Sequence, residues 1–211
     1  RDMNFYDVVH EHLEYYSLKS INYLMERNGL KIIDATTNFV NGGSLRVLVT
    51  HKENSRPKSK RYKEILYEDK KWNLEELDTY VQYEHKIKDI IKKSREFIVN
   101  EIENGGTVIG LGASTKGNVL LQICGIGKDL LPYISDRNKE KVGLHTLGTD
   151  IEIISEEKAR EINPSAMLVI PWNFKEEVLS REKDYIQNGG KMLFLMPRPY
   201  FVDKNGEHYL E

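Results

Sequence analysis

The chain has 211 residues, 30% of them charged and 39% hydrophobic, with a net charge of −2 from 31 basic and 33 acidic side chains. That is the composition of a soluble globular protein with room for one large or two small domains, and it lacks the charge excess that draws a chain to nucleic acid or a membrane surface. No apolar run approaches the ~20 residues of a membrane span, and the opening RDMNFYDVVHEH lacks the apolar stretch of a signal peptide.

The single cysteine, Cys124, rules out an internal disulfide or a cysteine-rich zinc site and points to the cytoplasm. Arg1 in place of an initiating methionine points to a fragment or a processed chain.

In chain order, Ser17 is a plausible N-cap, and Leu18, Ile21, Leu24 and Met25 recur at helical spacing until Gly29 closes the helix. Two β-rich runs follow, Lys31–Thr37 and Ser44–Thr50, with hairpin chemistry in Asn41-Gly42-Gly43 between them. Residues 52–72 are polar and highly charged and read as a linker or exposed loop. Asn73 with Glu76 predicts a capping box for a long helix to about Asn104, carrying Leu77, Val81, Ile87, Ile91, Ile98 and Ile102. Such a helix spans roughly 45 Å, enough to bridge two domains, and Gly105-Gly106 stops it.

Beyond it the pattern alternates. Strands are predicted at Thr107–Leu111, Leu131–Ser135, Ile151–Ile154, Met167–Ile170 and Met192–Met196. Helices are predicted at Gly117–Cys124, Asn138–Val142, Glu156–Ile162 and Lys175–Gln187. Alternation of this kind predicts a doubly wound, Rossmann-like parallel sheet of about five strands.

The turn GLGASTKGN joins the first of these strands to its helix. Gly110 and Gly112 permit a tight turn and close approach of a ligand. Ser114, Thr115 and the amides near Gly117 and Asn118 open the helix, where an anion is favoured, and Lys116 adds a charge suited to phosphate. Gly110, Gly112 and Gly117, with Ala113 between the last two, form a G-x-G-x-x-x-x-G spacing, neither a dinucleotide fingerprint nor a P-loop.

Asp136 ends the second strand, where dinucleotide folds place a ribose-binding acid. The glycines serve either tight strand–helix packing or ligand binding, and the crowding of Lys, Ser and Thr favours the second. The usual doubly wound order puts the ligand crevice between the first and fourth strands. There Pro171-Trp172-Asn173 offers an indole to stack and an amide to hydrogen-bond.

His10-Glu11-His12 is the other concentration of chemistry, and in a strand its two histidines share a face. They are surface histidines, a metal pair for which no third ligand is identified, or a general base whose imidazole is partly neutral near pH 7. The third reading is preferred, with Glu11 orienting a histidine and Tyr15 and Tyr16 binding an oxygen or stacking on a ring.

Two segments then act together. FYDVVHEHLEYYSLKSINYLMERNGLKIIDATTNFVNGGSLRVLV resembles the end of the catalytic domain in a family of S-adenosylmethionine (SAM)-dependent sugar C-methyltransferases. GLGASTKGNVLLQICGI, VGLHTLGTDIEII and PWNF are similar to that family's C-terminal domain, in the family's order.

The resemblance implies residues 1–51 as the end of a class I methyltransferase domain, 52–104 as linker and bridging helix, and 105–211 as a Rossmann-like substrate-binding domain. It implies a nucleotide-linked deoxysugar as substrate, methylated beside a ketone through an enolate, with His12 and Glu11 as catalytic residues beside His10. It also implies a SAM motif and a zinc-binding domain upstream of Arg1, so that this fragment alone is inactive. Val9 stands where deoxysugar members often carry a tyrosine, and Tyr6, three residues away, does not align with it. The expected partner is a small-molecule nucleotide sugar, with no nucleic acid or membrane, in a monomer or weak homodimer. The alternatives are a non-catalytic nucleotide-binding module and an NAD-dependent oxidoreductase.

Overall fold

A computed structural model describes residues 3–38, 40 and 43–211. It divides into two compact units. One holds the residues up to Glu11 together with Lys86–Glu211, and the other holds His12–His85.

The second unit contains α1 (Leu18–Arg27), β1 (Leu30–Asn38), β2 (Ser44–His51) and α2 (Lys60–Lys71). Ser17 caps α1 through a reciprocal capping box with Ser20, and Gly29 takes a left-handed conformation after the helix. β1 and β2 form an antiparallel pair with a register shift between Ile32 and Asp34. Leu18, Ile32, Ala35 and Tyr62 form the core, flanked by Ile21, Met25, Leu45, Val47, Ile65 and Leu66. The predicted hairpin turn Asn41-Gly42-Gly43 lies outside the described residues apart from Gly43.

Residues 60–71 are a helix, not the expected linker or loop. Ser59 caps it, its side chain accepting from the Tyr62 amide, and Tyr62 enters the core. The long helix α3 is Leu77–Glu103, shorter at its start than predicted. Asn73, the expected cap, instead adopts a left-handed conformation, with Thr79 Oγ1 donating to its carbonyl at 2.9 Å. α3 passes through the unit boundary at Lys86 and beyond it buries Ile90, Ser94 and Ile98.

The first unit is a mixed α/β domain around a seven-stranded sheet: β3 (Val108–Leu111), β4 (Tyr133–Asp136), β5 (Glu152–Ser155), β6 (Ala166–Val169), β7 (Lys191–Phe194), β8 (Tyr200–Asp203) and β9 (Gly206–Tyr209). The order is β5-β4-β3-β6-β7-β8-β9. The first five are parallel, as predicted. β8 and β9 extend the sheet as an antiparallel hairpin beyond the five expected strands.

Every residue of β3 and β6 is buried, as in a sheet covered on both faces. The helices are α4 (Thr115–Cys124), α5 (Glu156–Ile162), α6 (Lys175–Arg181) and α7 (Lys183–Gln187). The predicted helix Asn138–Val142 is only a 3-10 turn at Lys139–Lys141, cut short by Gly143 at positive φ. Burial pushes the Cys124 thiol, at the end of α4, up to about 12, so it remains a packed thiol.

Two predictions follow from this packing. A methyl group on Gly110 would stand 2.7 Å from Ile134 Cγ1 on the adjacent strand. Gly110→Ala is expected to cost about 1–3 kcal/mol, read as a lower urea midpoint.

In the second unit, Asp34 accepts from Ser59 and pairs with Arg61, and these bonds hold its carboxyl below the ordinary 3.8. A depressed folded-state pKa stabilises fully above 3.8 and is lost as pH falls through the lower folded value. Asp34→Asn is therefore expected to lower stability at neutral pH, and the gap to wild type should narrow in acid unfolding below that value.

Candidate functional site

The switch point of the sheet lies between β3 and β6, the pair from which the strand order runs outward in opposite directions. The glycine turn leaves the carboxyl end of β3 and Pro171-Trp172-Asn173 leaves that of β6, so the topology brings together the two segments that the sequence pairs.

Each glycine of the turn faces a protein neighbour. Gly110 lies against Ile134. Gly112, at φ +91°, would place a Cβ 2.7 Å from Pro171 Cδ, and Gly117 would place one 2.6 Å from Ile170 Cγ2. All three thus serve close packing of β3, β4, α4 and the β6 end, the first of the two roles open for them in the sequence.

The polar groups of the turn are also engaged. Ser114 is the N-cap of α4, its Oγ accepting from the Gly117 amide at 3.0 Å. Asp136 Oδ2 accepts from the Ala113 amide at 2.9 Å and from Lys141 Nζ at 3.2 Å, while Lys141 also donates to the Ala113 carbonyl at 2.8 Å. The backbone at Ala113 is gripped on both sides, and Asp136 braces the turn where a ribose hydroxyl was expected. Asn118 Oδ1 accepts from the Leu147 amide at 3.2 Å and holds the loop before β5. Thr115, exposed, and Lys116 start α4, where their amides lie outside the intrahelical ladder.

The mouth of the crevice holds residues of the N-terminal segment. Phe5–Asp7 form a 3-10 turn with Phe5 and Tyr6 buried. Trp172 Nε1 donates to the Tyr6 hydroxyl at 2.5 Å. Lys116 Nζ pairs with Asp7 Oδ1 at 2.5 Å and lies 5.8 Å from the centre of the Tyr6 ring. Burial raises the Tyr6 phenol, so it stays protonated. Asp7 and Lys141 are the residues that sequence reasoning missed here, and Tyr6, though noted, was given no role. Their partners are close in space but, except for Lys141 and Asp136, remote in sequence.

His10 and Glu11 follow in a turn, not a strand, and His10 Nε2 lies 3.3 Å from Glu11 Oε1, both exposed. His12 belongs to the second unit, where its ring meets Tyr15 edge-on at 6.5 Å. Tyr15 and Tyr16 line an open groove of about 790 Å³ within that unit, with Lys19, Tyr23, Asp69 and Tyr80 among its other walls.

No group of three or more His, Cys, Asp or Glu among the described residues could hold a metal. No helix among them is long and apolar enough to cross a membrane. With its glycines packed against protein and its Ala113 amide committed to Asp136, the turn does not fit SAM.

Asp136→Ala is expected to strip the Ala113 amide of its acceptor, at a cost of about 1–3 kcal/mol. Hydrogen exchange at Ala113 should accelerate, and an unchanged rate would contradict the bracing role.

Residues 39–197 match the family described as C-methyltransferase C-terminal domain. The chain is also 32% identical over 202 residues to C-methyltransferase NovU of Streptomyces niveus, covering 96% of this chain and 48% of that protein. It therefore spans about half the length of the relative it matches. With three-quarters of its length inside the matched domain, the chain belongs to the C-methyltransferase family and carries that family's C-terminal domain.

Proposed function

We propose that this chain is the C-terminal part of a SAM-dependent C-methyltransferase that methylates the carbon beside a ketone on a nucleotide-linked deoxysugar. One observation carries the reading. The exposed His10-Glu11-His12 segment begins three residues after a turn, Phe5–Asp7, seated at the switch-point crevice, where doubly wound sheets receive ligands. The name of the NovU relative supports the reaction class.

In this reading the nucleotide phosphates meet the amides of Thr115 and Lys116 at the start of α4, with the Thr115 hydroxyl and the Lys116 charge beside them. Trp172 and Asn173 complete that side of the crevice. Asp136 and Lys141 hold the turn in shape and do not touch the substrate.

His12 takes the proton from the carbon next to the carbonyl. The C–H electrons pass into the carbonyl to give an enolate, whose carbon becomes the nucleophile. Glu11 orients an imidazole and offsets its positive charge, a role consistent with its 3.3 Å approach to His10. Tyr15 and Tyr16 are the expected substrate contacts on the second unit. The methyl donor in this reading is SAM, which would supply an electrophilic methyl group. An exposed base of this kind works only once the substrate and the rest of the protein exclude water from it.

Calorimetry of this chain with nucleoside diphosphates should show binding that Lys116→Ala weakens about tenfold, the loss of one charge-assisted contact. No heat with any diphosphate, or no effect of the substitution, would remove the phosphate from this turn. In the full-length enzyme, His12→Ala is expected to abolish methyl transfer and leave SAM affinity intact, and retained turnover would exclude His12 as the base.

A further inference from the structure

The segment ahead of the histidines changes character within a few residues. Met3, Phe5 and Tyr6 are buried, whereas Val8 is 60% exposed and His10, Glu11 and His12 are exposed. Two buried aromatic side chains, Phe5 and Tyr6, thus hold this stretch against the domain.

The polar contacts are as specific as the apolar ones. The Trp172 indole donates to the Tyr6 hydroxyl, and the Lys116 ammonium pairs with the Asp7 carboxylate. Both partners stand on the walls of the crevice, one after β6 and one at the start of α4. The Asp7 carbonyl then accepts from the Val9 amide at 2.9 Å, so order carries past the anchor to the residue before His10.

Tyr6 is not placed to serve the substrate as a donor. It is 4% exposed, and its oxygen already accepts from the Trp172 indole.

We propose that Trp172 and Lys116 are positioning residues: through Tyr6 and Asp7 they clamp the chain three residues ahead of His10 and so fix where the His10-Glu11-His12 segment leaves the C-terminal domain. This rests on the reading of that segment as the base. The C-terminal domain then does more than hold the nucleotide, because its crevice also sets the start of the catalytic segment. A displacement of the order of 1 Å at a reacting group can cost about 100-fold in rate, so a clamp of this kind is worth maintaining at the expense of two polar side chains.

The test uses the full-length enzyme with Tyr6→Phe, Trp172→Phe, the double substitution and His12→Ala. Two things are measured: steady-state kinetics, and hydrogen exchange of the amides at Val8–Glu11 without substrate. Tyr6→Phe and Trp172→Phe should each lower kcat about 5- to 10-fold with KM within about twofold, as for an interaction needed only on the way to the transition state. The double substitution should be no worse than either single one, since both remove the same bond. Exchange at Val8–Glu11 should accelerate in all three.

Unchanged kcat and exchange in Tyr6→Phe, which deletes a single oxygen and is the variant most certain to fold, would overturn the clamp. A rise in KM alone for Trp172→Phe, or fully additive losses in the double, would also overturn it in favour of direct substrate contact. If His12→Ala stays active while exchange still accelerates in the clamp variants, the base assignment fails and the anchoring stands, so the two failures are distinguishable.

Discussion

The contact on which the candidate site depends is the close approach of Gly112 to Pro171 across the switch point. With a Cβ at position 112 the two loops would collide at 2.7 Å. Because that approach is possible, the segments after β3 and β6 run side by side, and Lys116 and Trp172 present their polar ends to the same stretch of chain. Asp136 and Lys141 hold the turn through the N–H and the C=O of Ala113, on the two peptide groups that flank it. The crevice is therefore braced at its base by Asp136 and Lys141 and held at its mouth by the contacts to Tyr6 and Asp7.

Division of labour follows from where the polar groups are committed. Groups that look like ligand contacts in the sequence, Asp136, Ser114 and Asn118, satisfy backbone donors inside the domain. The groups left nearer solvent are Thr115 and the first amides of α4. A phosphate fits that pattern better than a ribose hydroxyl, since it can use the helix terminus without displacing a structural carboxylate.

Much of this was legible in the sequence. The parallel strands announced themselves because a buried sheet needs unbroken apolar runs, and VIGL and AMLV are such runs. Ser17 and Gly29 bounded α1 through local chemistry that needs no tertiary knowledge. Helix α2 was hidden because its residues are mostly charged and only Tyr62, Ile65 and Leu66 face the core. The β8–β9 hairpin had a signal in Asn205-Gly206, but its short strands give too few alternations to stand out. The glycines of the turn could not be assigned from sequence, since packing against Ile134, Pro171 and Ile170 is a tertiary fact. Tyr6 was visible yet aligned with nothing, and only the fold brings it to Trp172 across 166 positions.

We propose that the His10-Glu11-His12 segment performs proton abstraction next to a ketone. The most direct measurement is solvent deuterium incorporation at that carbon of a nucleotide-linked keto-deoxysugar. It uses the full-length protein with S-adenosylhomocysteine in place of the methyl donor, so that proton transfer is read without methylation. The account predicts exchange by the wild-type protein and none by His12→Ala. Exchange at the wild-type rate in His12→Ala would contradict it.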